Sequence, residues 1–235
     1  MQKNTIMNGM KASLPIMVSY IALGIACGIV LFDAGFSLAA IFWMSLLIYA
    51  GAAQFLAASM VTLGASFPSI ILMVFFLNLR HVLMSASLSS YVKDKSFGFI
   101  GLFSHLMSDE SFGINYSRFR DGSWTADEAL VTSVSNYSTW VISTVIGGAI
   151  GSQFPINTVI MNYALIAMFL CMMVQQFVSK AHLLAGVAAV IATVVLRLVL
   201  QHNIALVFAT IIASFIGYFL ESYTDINKKG SRTNG

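Results

Sequence analysis

Asn78, Arg80 and His81 sit almost side by side in "FFLNLRHVLMSAS", residues 75–87, an otherwise apolar run. Each brings a different chemistry. The arginine is a fixed cation whose planar fork matches a carboxylate. The histidine, with an unperturbed pKa near ~6.5, can take up or release a proton. An acidic pair, Asp109 and Glu110, lies in "LMSDESF", and Gln54 follows Gly51 in "YAGAAQFLAAS". In a hydrocarbon setting a charged side chain costs about 2.5–3.5 kcal/mol by insertion scales. Arg80 therefore needs a partner, and Asp109 or Glu110 is the natural candidate. Gln54, amid small residues, is suited to interhelical hydrogen bonding or to ligand contact.

The elements that position these residues follow from composition. The chain has 235 residues, 58% hydrophobic and 9% charged, and a mean hydropathy of +0.86. A soluble fold has about 25% charged residues. Apolar segments of roughly 20 residues without period-2 alternation predict a polytopic helical membrane protein rather than a barrel. About seven to eight spans are expected, forming one membrane domain over residues 1–235, with a polar N-terminus over 1–12 and a flexible tail over 221–235. The net charge of +3 suits a positive-inside bias better than nucleic-acid binding.

Spans are predicted near residues 13–32, 38–61, 68–91, 125–150, 157–178, 182–200 and 203–220. The apolar run at 97–107 is too short to cross alone. It reads as a broken or re-entrant helix within about 97–116, or as part of one full span over 96–116. Thr125 and Glu128 form a capping box, with Trp124 as interfacial anchor. Orientation depends on the span count. Seven spans put Lys3 and Lys11 opposite eight other Lys/Arg, and eight spans put eight on the N-terminal side against Lys93 and Lys95. Both arrangements leave the C-terminus inside.

At about 100° per residue, Asn78, His81, Ser85 and Ser89 share one face, whereas Arg80, Ser87 and Tyr91 share roughly the other. Either protein encloses this helix or it unwinds near "LNLR". Thr132, Ser135, Asn136, Thr139 and Ser143 make a narrow polar stripe, a candidate pore lining. Thr193, Arg197 and Gln201 form a shorter one, and Thr210, Ser214, Gly217 and Glu221 a weaker one. Gly24 with Gly28 and Gly147 with Gly151 are small-xxx-small pairs for helix packing. The histidines His105, His182 and His202 are isolated. No P-loop, HExxH or CxxC is present, so neither an enzyme nor a metal or cofactor site is expected.

The motifs together resemble the AzlC family, the large permease subunit of branched-chain amino acid exporters. The resemblance rests on "GIACG", "YAGAAQF", "LNLRHVLMSASLS" and "LMSDESF", covering about residues 10–120. It implies a bacterial inner-membrane exporter of leucine, isoleucine and valine, and in some members methionine. It also implies ion-gradient coupling, expected to be protons, and a small four-helix AzlD-type partner. Gly51, Gln54, Asn78, Arg80, His81, Asp109, Glu110 and Phe112 lie in the matching motifs and are the implied substrate or coupling residues. The alternative is a channel or regulatory membrane subunit without its own transport cycle. Self-association is left open.

Overall fold

The computed structural model describes residues 3–153 and 180–200, and single positions at 163, 170, 212, 215 and 216. Regular structure among them is α-helical. The helices are α1 (Lys3–Asp33), α2 (Leu38–Leu47), α3 (Gly51–Thr62), α4 (Phe67–Val92), α5 (Phe97–His105), α6 (Asp109–Arg120), α7 (Ala126–Gln153) and α8 (Lys180–Leu200). The chain separates into two compact units, Met1–Leu165 and Ile166–Gly235. In the second, α8 is a long apolar helix in which Thr193 returns its hydroxyl to Ala189 O at 2.7 Å. Apart from those single positions, the expected spans over 157–178 and 203–220, the polar stripe ending at Glu221 and the tail lie outside the described residues.

Two expectations are corrected, and the alternatives left for α4 are narrowed. The first helix begins at Lys3, so the polar start is helical and Pro15 lies well inside it. The second expected span is broken at residues 48–50. By contrast, α4 runs unbroken through "LNLR". The 97–116 region is indeed two helices, separated at residues 106–108.

Side-chain contacts fix the direction of each helix. α1 and α7 run parallel. Asn8 donates to Glu128 (2.8 Å), Thr132 to Gly9 O (3.1 Å) and Ser143 to Tyr20 O (3.0 Å). The pair finishes where Gly151 meets Ile29 and Phe32. α2 runs back along α7, Ile41 reaching Gly148 and Ser45 bonding Thr144 at 2.8 Å. It stops short, and α3 returns. The connection 63–66 is too short to place the end of α3 anywhere but beside the start of α4. α4 then crosses, 26 residues long, about 39 Å. α5 enters from its far end, and α6 comes back to that same end. There Phe119 stacks on Tyr91 (4.7 Å) and Lys95 pairs with Asp127 (2.7 Å).

The result is an inverted pair. Residues 3–62 and 67–120 each form a long helix followed by a re-entrant hairpin of two short helices, entering from opposite ends. Helix lengths are 31, 10 and 12 residues in one copy and 26, 9 and 12 in the other. Connections 34–37 and 93–96 match in length, as do breaks 48–50 and 106–108. Even the caps correspond: Ser37 accepts from Ala40 N–H at 3.2 Å and Ser96 from Phe99 N–H at 3.4 Å. Such half-helices are tolerated at membrane depth when protein covers their freed backbone groups.

Close packing holds this scaffold. A Cβ on Gly28 would strike Thr144 O and the backbone of Gly147 and Gly148. One on Gly147 would strike Ile25, and one on Gly24 would strike Ser143. Backbones in such contact gain dispersion energy that larger residues would forbid. At the Lys95 end, Leu88, Val92, Phe103, Met107, Phe119 and Trp124 form an apolar cluster. The Thr125–Glu128 capping box is present, with Thr125 N–H donating to Glu128 at 3.0 Å and Glu128 N–H to Thr125 at 3.3 Å.

Candidate functional site

The two hairpin tips meet beside α7. Leu46, near the end of α2, has a carbonyl with no place in its own ladder. It accepts from Tyr137 of α7 at 2.8 Å and contacts His105 Nε2 of α5 at 3.2 Å. A carbonyl can only accept, so this contact is a hydrogen bond when Nε2 carries a hydrogen. The Tyr137 ring also packs edge-on against His105 and against Tyr49.

Beside this junction Arg80 of α4 pairs with Asp109, the first residue of α6, at 3.1 Å; the two side chains are 26% and 33% exposed. Asp109 is also well placed at a helix N-terminus, where the dipole favours an anion. His81 is half-buried, with Arg80 and Glu110 as its charged neighbours. Asn78 is half-buried too, and its buried Oδ1 accepts no hydrogen bond. The continuous α4 therefore brings all three polar residues toward protein. Ser87 and Ser89 stay exposed and bond their own helix, to Leu83 O and Ala86 O.

Glu110 takes a different partner from its neighbour. It accepts from the Tyr20 hydroxyl at 2.6 Å, and that hydroxyl lies 3.0 Å from Ser108 Oγ. Ser108 caps α6 by accepting from Ser111 N–H (3.1 Å), and its hydroxyl reaches Ser111 Oγ (3.0 Å). Asn136 donates to Ser111 (2.9 Å) and is itself held by Ser13 (2.5 Å). Tyr49 completes the group. It is 3% exposed, and its hydroxyl faces Ser108, Tyr20 and Ser111 without closing a well-formed hydrogen bond on any of them. Its φ is +43°, the one left-handed non-glycine backbone among the described residues. Such a conformation costs about 1–3 kcal/mol, and a buried hydroxyl without a partner costs about 1–3 kcal/mol more.

The opposite half-helix is built otherwise. α3 starts at Gly51 with no side-chain cap on Ala50. Gly51 lies against Trp140, whose ring a Cβ would strike. Gln54, fully buried, donates to Ser45 at 2.7 Å and accepts from Trp140 Nε1 at 2.7 Å. One tip thus presents bare amides and partial positive charge, the other two carboxylates.

The remaining candidates lie elsewhere. Phe112 stacks on Tyr116 and packs on the Lys95-end apolar cluster. In the α7 stripe, Thr132, Asn136 and Ser143 are buried against α1, and Ser135 and Thr139 return their hydroxyls to Val131 O and Ser135 O. The stripe is a packing seam in this structure, not the lining of an opening. Gly24, Gly28, Gly147 and Gly151 lie on the same seam. Sequence reasoning missed Tyr20, Tyr49, Ser108, Ser111, Tyr137 and His105. Only Ser108 gave a signal, as a serine preceding two acids. No cluster of three or more metal-ligating side chains occurs among the described residues.

Comparison with known proteins gives consistent matches. A model of the AzlC protein family matches residues 15–154. Inner membrane protein YgaZ of Escherichia coli K12 is 32% identical over 197 residues, covering 79% of each chain. Branched-chain amino acid transport protein AzlC of Bacillus subtilis is 31% identical over 177 residues, 72% of this chain and 66% of its own. An uncharacterized membrane protein of Helicobacter pylori is 27% identical over 166 residues, 70% of this chain and 72% of its own. No solved structure matches the chain.

Proposed function

This chain belongs to the AzlC family, a membership that points to membrane transport, and we propose that it is a secondary-active exporter of branched-chain amino acids. The observation that carries the reading is the Arg80–Asp109 ion pair, set where two inverted re-entrant hairpins meet. Intramembrane ion pairs at broken helices mark substrate and ion pathways. A zwitterionic substrate offers a carboxylate for Arg80 or for the bare α3 N-terminus, and an ammonium for the acidic tip. Asp109 holds either the substrate ammonium or a proton but not both, so substrate leaves on one half of the cycle and a proton enters on the other, which couples export to proton entry. A small AzlD-type membrane protein completes the exporter. The Lys95 end is cytoplasmic: among the described residues of the first unit it carries Lys3, Lys11, Lys93, Lys95, Arg118 and Arg120, whereas the other end carries no Lys or Arg.

The test is efflux of leucine from cells loaded with a leucine-containing dipeptide, with and without the partner, for the native chain and for Asp109→Asn. Saturable efflux that collapses in Asp109→Asn and when the proton gradient is dissipated supports the exporter. Non-saturable flux would mean a pore.

A further inference from the structure

We propose that Tyr20, Tyr49, Ser108, Ser111 and Glu110 form a binding site for a small monovalent cation, an alkali ion or the ammonium end of an amine. The ligand set is all oxygen: two phenolic hydroxyls, two serine hydroxyls and one carboxylate, gathered where the hairpin tips meet. Oxygen donors with a single negative charge suit a hard, weakly charged cation, and they do not suit a transition metal, which favours nitrogen or sulfur. Nor do the described residues gather the cluster of His, Cys, Asp or Glu that such a metal would use.

The hydroxyl of Tyr49 is the second, independent sign. It is buried and aimed at Ser108, Tyr20 and Ser111, yet it closes a well-formed hydrogen bond on none of them. Were its role packing alone, phenylalanine would fill the same space without stranding a polar atom. The left-handed backbone at this residue likewise holds a bulky side chain in an unfavourable conformation, as happens where geometry serves a ligand. The carboxylate is available because the division of labour in α6 is complete. Asp109 faces Arg80, while Glu110 turns to Tyr20. Behind the group, Asn136 and Ser13 fix Ser111 in place. Among the described residues, Arg80, which pairs with Asp109, and His81 are basic groups beside Glu110.

In its ammonium form the occupant is the amine end of the substrate class proposed above, and that form rests on the exporter reading. In its alkali form it stands without it. Binding is therefore measured apart from transport, so that a failed efflux assay leaves this test intact. The purified full chain in lipid nanodiscs is melted at fixed ionic strength in the chloride salt of sodium, lithium, potassium, isoamylamine or N-methylglucamine, the last as the bulky reference. At roughly tenfold over Kd, a site ligand should raise the melting midpoint by about 3 °C over the reference. Sodium, lithium or potassium acting alone identifies an alkali site. Isoamylamine acting alone identifies an ammonium site. In Tyr49→Phe the reference midpoint should hold or rise, since no hydrogen bond is lost, while the cation-induced rise disappears. Glu110→Gln should lose the rise as well. The proposal is overturned if no cation exceeds the reference, or if Tyr49→Phe keeps the native rise.

Discussion

Asp109 and Glu110 are adjacent in sequence yet serve different partners, Arg80 at 3.1 Å and Tyr20 at 2.6 Å. Successive residues at a helix start point about 100° apart, so one half-helix tip can hold a charged partner and an uncharged one at once. Arg80→Ala and Asp109→Asn should each lower leucine efflux tenfold or more. Each change also takes the partner from a charge at membrane depth, where a charged side chain costs about 2.5–3.5 kcal/mol by insertion scales, so the melting midpoint should fall as well. Efflux paired with melting curves separates the two effects. Arg80→Lys should also transport poorly, having lost the planar fork, and full efflux by that variant at normal expression would remove Arg80 from the substrate path.

Gln54 joins Ser45 to Trp140 without access to solvent. Gln54→Leu keeps the volume and strands the Trp140 N–H, at about 1–3 kcal/mol. The melting midpoint should fall by about 3–10 °C, and Trp140 emission should shift. An unchanged midpoint would mean that water replaces the amide.

The α1–α7 seam should be intolerant of volume. Gly28→Val meets backbone rather than a movable side chain, so overpacking of about 3 kcal/mol or more is expected with loss of monodisperse protein. Gly98→Ala, which meets nothing within 4 Å, is the control. It should purify normally, and a normal yield of Gly28→Val would contradict the close contact.

Orientation can be read by labelling. With Cys27 and Cys171 replaced by alanine, Ala65→Cys should react with an impermeant maleimide on intact cells and Lys93→Cys only after lysis. The reverse pattern would invert the assignment of the Lys95 end to the cytoplasm.

Much of the scaffold was legible. The capping box at Thr125 and Glu128 is local, and its two residues find each other without tertiary help. Asp109 or Glu110 was expected opposite Arg80 because a charge at that depth has few possible partners, and Asp109 is the one that closes on it. The break at 48–50 was not legible. "LLIYAGAAQ" has no proline and no charge, and what satisfies the end of α2 is supplied by Tyr137 and His105, 91 and 59 residues away. The inverted repeat was equally hidden, since helix lengths and caps correspond while the side chains facing the site do not: Gly51 opens one half-helix and Asp109 the other. The α7 stripe was a true polar face with the wrong neighbour assumed, because periodicity reports which side is buried but not against what.

The parallel pairing of α1 with α7 also sets a clock for biogenesis. Ser13 waits for Asn136, 123 residues later, about 6–25 s at ordinary rates of synthesis. Over that interval both hairpins have been made, yet the helix that covers the carbonyl of Leu46 has not. Their uncapped ends cannot rest against lipid. The nascent chain must therefore keep its half-helices sheltered, in the insertion machinery or at the membrane surface, until α7 arrives, and any slowing of synthesis before residue 126 lengthens the time for which the molecule is most exposed to degradation.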